Sequence, residues 1–198
     1  MAYNDDATLI ATYGTLFYAP VGTELPADGA KAFKLNSDTV KAGGTSAIGV
    51  WTNLGHTSSD NKISFSFDGG DATSHNSWAR KNLRTTYDDS TCTITAKSLQ
   101  LDASTLKLIY NGSEEDGGVG VDITKKPQTF ALFLLAQEDA DDDSNIRFGV
   151  LFRKVSVTFD GGPDFTGDDF VEQGMTGEVE TVAGKKPIVF FDEDAMAA

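Results

Sequence analysis

Residues 62–68, Lys-Ile-Ser-Phe-Ser-Phe-Asp, alternate strictly, with Ile63, Phe65 and Phe67 on one side and Ser64, Ser66 and Asp68 on the other. A period of two marks a strand with one buried and one wet face, because successive side chains leave the pleat in opposite directions. A helix would scatter the same residues around its circumference. The alternation stops at Gly69-Gly70-Asp71, and a long polar segment follows in which Trp78 is the one large aromatic before residue 83. Long connections of this kind are uncommon in compact domains and usually interact with something.

The same period recurs along the chain. Residues 91–99 place Cys92, Ile94 and Ala96 inward and Thr91, Thr93 and Thr95 outward, and β-branched threonine suits an exposed strand face. Residues 145–153 point Ile146, Phe148, Val150 and Phe152 one way and Arg147 and Arg153 the other, and Val155, Val157 and Phe159 continue the alternation. Residues 128–137 are apolar on both faces, which predicts a central strand covered on both sides. Further strands are expected at 12–19, 50–54, 83–88, 178–182 and 188–191. One helix is expected at about 102–111, with Asp102 as N-cap, Leu101 and Leu106 as a hydrophobic staple, and Asn111-Gly112 as a left-handed stop. Too short to stand alone, it must pack on a sheet.

These elements predict a mainly β protein, an antiparallel sandwich or barrel with one short flanking helix, in a single domain of 198 residues. An N-terminal arm is expected at about 1–11, a surface loop with at most a short strand near 31–35 at about 21–48, and a loose tail at about 192–198. Ile63-Ser-Phe-Ser-Phe-Asp-Gly-Gly is echoed by Val155-Ser-Val-Thr-Phe-Asp-Gly-Gly, two strands ending in the same turn.

The formal net charge of −14 disfavours binding to nucleic acid or anionic membranes. It does not disfavour a duct through which DNA passes without adhering. Cys92 is the sole cysteine, so no intrachain disulfide forms, and the N-terminal residues lack the basic and apolar regions of a signal peptide. The densest apolar run, 130–136, is far short of a membrane span. A soluble protein made in a cytoplasm is expected.

No catalytic or metal motif survives inspection. Asp139, Asp141 and Asp143 have the spacing of a calcium loop, but Ser144 and Val150 stand where its glycine and glutamate belong. His56 and His75 have no second histidine or cysteine at ligand spacing. No G-x-S-x-G elbow is present, and Gly184-Lys185-Lys186 lacks both the earlier glycine, where Val179 stands, and the following hydroxyl of a phosphate loop. No enzyme activity and no cofactor are expected. Trp78 has two readings: a cover for the edge of its own core, or an anchor on another subunit, where tryptophan is enriched.

The phrase W-T-N-L-G-H-T-S, from Trp51, followed by F-x-F-D-G-G-D, from Phe65, and then Trp78, resembles the major tail (tail tube) proteins of long-tailed, siphovirus-type bacteriophages, especially those infecting actinobacteria. The likeness is best over 4–20 and 51–112. It implies a tail tube fold with a long stacking loop, and hexameric rings whose inner sheets join into a tube. It assigns inter-ring contact to Asp68, Gly69, Gly70, Asp71, His75, Trp78 and Arg80. It also makes Ser64, Ser66 and Asp68 candidates for the lumen, and Asn4, Asp5 and Asp6 candidates for arm contacts. The implied partners are copies of the chain itself and tape measure, tail terminator and tail tip proteins, with DNA in transit and no membrane. The implied location is the virion tail, assembled in the host cytoplasm, and the chain reads as a tube subunit without an added immunoglobulin-like domain. Two other classes fit the composition: a secreted β-sandwich module binding carbohydrate or a cell surface, and a hydrolase on a β scaffold.

Overall fold

The computed structural model describes residues 8–43, 49–141, 146–163, 165 and 167–196. Its frame is a curled antiparallel sheet, a half-barrel. Along the sheet run β2 (Thr39–Lys41), β3 (Val50–Asn53), β1 (Tyr13–Pro20), β10 (Gln128–Gln137), β11 (Arg147–Phe159), β12 (Gln173–Val179), β7 (Ser90–Ser98) and β4 (Ser64–Gly69), while β13 (Ile188–Phe191) pairs β11 beside β12. Two small ribbons lie outside it, β5 (Ala72–His75) with β6 (Arg84–Tyr87), and β8 (Ser113–Glu115) with β9 (Gly118–Gly120).

The centre of the sheet explains why β10 is apolar on both faces. Leu132 turns toward one buried cluster with Leu16, Ile94, Val150, Phe152 and Met175. Ala131, Phe133 and Leu135 turn toward a second with Phe17, Trp51 and Leu151. The first cluster is closed by α1 (Ala103–Tyr110), through Leu108 and Ile109. Asp102 caps that helix by accepting from the Thr105 amide at 2.9 Å, and Asn111 ends it at φ 52°. Hydrogen bonds from the Ser104 hydroxyl and the Thr105 amide hold the Asp102 carboxyl below its ordinary range. Leu101, expected to staple on Leu106, keeps half its surface in solvent.

The second cluster corrects three expectations. The described part of the expected loop, residues 21–43, is more than a surface excursion: a 3-10 turn at Gly29–Ala32, where at most a short strand near 31–35 was expected, delivers Phe33 to zero exposure, and residues 44–48 lie outside the described residues. Its ring stacks on Phe133 at 3.9 Å and meets Trp51 edge-on at 5.4 Å, while the Trp51 indole N–H donates to the Glu24 carbonyl at 3.0 Å. The C-terminal stretch, expected loose, forms a short helix, α2 (Glu193–Met196), that buries Met196 in this cluster. Arg147 does not point to solvent. It is 3% exposed, because the face of β11 opposite Val150 and Phe152 is covered as well. Its guanidinium donates to the carbonyls of Phe33 and Met196, tying the covering segments to the strand.

One strand shifts markedly, and one pairing is irregular. β12 spans Gln173–Val179 rather than 178–182, and the pairing of β10 with β11 slips between Phe130 and Leu132. Phe67, expected inward, is 60% exposed. β4 is an edge strand, and Phe67 meets only the edge of Phe65, 6.1 Å away, while Phe65 itself reaches Phe152 at 5.4 Å.

Candidate assembly interface

The long polar segment after β4 is a hairpin rather than an irregular loop. β4 and β7 pair from Ser64 with Thr95 to Gly69 with Ser90, and β5 and β6 pair from Ala72 with Tyr87 to His75 with Arg84. Each pair of partners has the same summed residue number, so β5 and β6 continue β4 and β7 in one register. The ribbon is interrupted only at residues 70–71 and 88–89, beside Gly69 and Gly70 at φ 82° and 74°, where a side chain would be strained and would strike the Asp89 carbonyl or the Ser90 hydroxyl. The Asp88 amide then donates to the Asp71 carbonyl at 3.1 Å, and pairing resumes.

The tip is ordered by its own polar groups. The amides of Ser77 and Arg80 donate to each other's carbonyls at 2.8 and 3.3 Å, and Asn82, at φ 54°, donates its amide to the Asn76 side chain at 2.7 Å. His75 Nε2 lies 2.8 Å from Thr86 Oγ1. What the hairpin lacks is a core. From Asp71 to Asp89 only Thr86 is even half-buried, Trp78 is fully exposed, and Leu83 and Tyr87 are 57% and 73% exposed. The structure therefore gives no support to Trp78 as a cover for its own domain.

The other predicted positions are separated from this tip. Ser64, Ser66 and Asp68 lie exposed on β4 at the sheet edge. Asn4, Asp5 and Asp6 lie outside the described residues. A feature not anticipated from the sequence joins the β4 serines to three further strands. The registers align Ser64 with Thr95, Thr176 and Thr158 in one row, and Ser66 with Thr93, Glu178, Ser156 and Thr129 in the next. The face of the half-barrel opposite the first core is thus paved with hydroxyls across β4, β7, β12 and β11, reaching β10 at Thr129. Threonine and serine alternation in β4, β7 and β11 was the available signal. The order of the strands, which brings the rows together, was not.

Two of the cations bordering this face are held by carboxylates, while Lys62 donates to the Ala11 carbonyl and Lys125 stands over the Phe159 ring. Lys154 meets Glu180 at 2.6 Å, and Lys97 meets Glu172 at 2.8 Å. Hydrogen bonds from Lys97, then from Ser58 and Asn61, pull the Glu172 carboxyl down to about 2. This knot ties the turn before β4 to the start of β12, at the end of the sheet opposite the ribbon. Among the described residues no group of three or more His, Cys, Asp or Glu could hold a metal ion. No described helix is long and apolar enough to cross a membrane. Burial raises the Cys92 thiol above its usual range, away from reactivity.

A firmly packed sheet carrying an exposed ribbon is compatible with a structural class of protein. Comparison with known proteins identifies that class. The sequence matches, over residues 1–198, the family described as phage tail tube protein. It is 31% identical over 173 residues to the major tail protein Gp23 of Mycobacterium phage L5, covering 85% of this chain and 82% of that one. The same figures hold for the major tail protein Gp23 of Mycobacterium phage D29. The chain belongs to the phage tail tube protein family. It is a structural component of the virion tail that assembles with itself into a tube, and not an enzyme.

Proposed function

We propose that the chain forms hexameric rings that stack into a hollow conduit through which genomic DNA passes to the host. The observation that carries this reading is the hairpin of β5 and β6, which has almost no buried surface of its own. An isolated two-stranded ribbon is marginal in water, so this one is completed by docking. The stacking contact then runs through Asp68 to Arg80, with Trp78 as its aromatic anchor. Lateral closure removes the free edge of β4, which would otherwise invite uncontrolled pairing.

The hydroxyl face is the lumen wall in this reading. Hydroxyls keep the wall wet without attracting phosphate. Lys97 and Lys154 are neutralised by Glu172 and Glu180, and the overall charge of −14 per chain adds repulsion. DNA then has little to adhere to. Arg147, buried under the second core, contributes nothing to the wall. Assembly takes place in the host cytoplasm, and the tube ends and interior take tape measure, tail terminator and tail tip proteins. The terminal arm at Asn4, Asp5 and Asp6 adds contacts between neighbours.

Electron microscopy of the concentrated protein, beside its mass in solution, tests the reading. Rings with six subunits and tubes of regular repeat are expected, and excising residues 72–87 is expected to leave folded protein that never stacks. Tubes grown by the excised variant would show that the hairpin is not the stacking element.

A further inference from the structure

The ribbon leaves the half-barrel at the end marked by Gly69 and Ser90. β4, β7, β12 and β11 are successively antiparallel, so β11 ends at the opposite end, where Phe159 pairs with Met175. Both exits use the same Phe-Asp-Gly-Gly turn, at 67–70 and at 159–162. The first exit opens the hairpin and the second opens the connection from β11 to β12. β7, of nine residues, separates them by about 27 Å at the rise of a strand.

The two excursions are opposite in charge. Residues 72–87 contain Arg80, Lys81 and Arg84 and no acidic residue, in a chain whose net charge is −14. Residues 160–172 contain five acidic residues and no basic one. Glu172 is engaged by Lys97, whereas Asp160, Asp168 and Asp169 make no ion pair among the described residues. Among these acids stand Phe165 and Phe170, 74% and 73% exposed, outside both core clusters of the described residues. A basic tip with one naked indole and an acidic loop with two naked phenyl rings complement each other in charge and in apolar surface. Because they sit at opposite ends of the same sheet, one chain's tip meets the next chain's loop head to tail, a contact that repeats without end.

Resting on the stacking reading above, we propose that the connection from β11 to β12 is the socket for the β5–β6 hairpin of a second copy. Arg80, Lys81 and Arg84 face Asp160, Asp168 and Asp169, and Trp78 packs on Phe165 and Phe170. Charge sets the direction of stacking, since tip against tip and loop against loop both oppose like charges. The aromatic cluster supplies the dry centre of the contact.

A charge-swap experiment tests this, with tube growth followed by light scattering and electron microscopy and with melting temperature as the control for folding. Reversal of the tip (Arg80→Glu, Lys81→Glu, Arg84→Glu) and reversal of the loop (Asp160→Lys, Asp168→Lys, Asp169→Lys) should each abolish tubes at native melting temperature. The combined variant, acidic at the tip and basic in the loop, should grow tubes again. Tubes grown by the tip reversal alone would end the stacking reading itself. A tip reversal that blocks growth beside a loop reversal that does not would leave stacking through the hairpin standing and overturn the socket. Two blocked single sets and an equally blocked combination would also overturn it. As a second measure, a chain carrying Ala79→Cys and Asp168→Cys should give a ladder of disulfide-linked chains on oxidation of tubes. Tubes that yield no ladder would count against the pairing.

Discussion

Residues 21–43 and residues 70–89 are both largely polar, glycine-bearing stretches, the first following β1 with one large aromatic, Phe33, and the second following β4 with two, Trp78 and Tyr87. The first folds back so that Phe33 lies at zero exposure, stacked between β10 and β3 residues and held by the Arg147 guanidinium. The second extends away and leaves Trp78 bare. The hydrophobic effect acts on both, but the first finds its apolar partners within the chain and the second does not. The contrast separates two uses of an aromatic in a polar segment: completing a core, or reserving surface for another molecule. Stability of the isolated subunit should therefore depend on the first excursion, and assembly on the second.

Phe33→Ala offers the sharpest way to break this division. Removing a ring that contacts Phe17, Trp51 and Phe133 leaves a cavity and should cost about 3–5 kcal/mol in chemical denaturation. A change below about 1 kcal/mol would mean that residues 21–43 are as dispensable to the subunit as the hairpin. Arg147→Ala comes next. It strands the Phe33 and Met196 carbonyls and frees α2, with an expected loss of about 2–4 kcal/mol, since bonds from a charged donor contribute about 1.5–3 kcal/mol each. Hydrogen exchange should then show early opening of Glu193–Met196.

Much of the frame is legible in the sequence because it is written in local periodicity. The alternation at 91–99 and the two-faced apolarity of 128–137 follow from which side of the pleat a residue occupies, and Asp102 and Asn111 mark helix ends by chemistry confined to one turn. Phe33 and Arg147 are opaque for the converse reason. The stack of Phe33 on Phe133 joins residues a hundred positions apart, and Arg147 is tolerated inside because distant carbonyls receive it. The candidate interface divides the same way. Gly69, Gly70 and Trp78 stand out from their neighbours, while the hydroxyl rows across β4, β7, β12 and β11 exist only once strand order is known.

Glu172 tests the end of the sheet opposite the ribbon with a smaller effect. Its carboxyl sits near 2 in the folded chain against an ordinary 4.5, so it contributes stability above about pH 4.5, and that contribution is lost as the pH falls from 4.5 toward 2. Glu172→Gln should flatten the dependence of melting temperature on pH in that window and leave the neutral-pH curve shape intact. An unchanged acid limb would mean that the bonds to Lys97, Ser58 and Asn61 do not anchor the turn before β4.

Trp78→Ala should have the smallest effect on the subunit and a decisive one on the tube. An indole with no neighbour loses nothing when truncated, so the unfolding free energy should move by less than about 0.5 kcal/mol. The same truncation removes the largest aromatic from the contact, and aromatic anchors of this kind dominate association energies. Tube growth should fail at concentrations where the parent chain polymerises, while the folded mass in solution is unchanged. Normal stability with normal growth would move the stacking energy to Leu83, Tyr87 and the charged tip. Lost stability would place Trp78 with Phe33, as part of the subunit's own architecture, and dissolve the contrast between the two excursions.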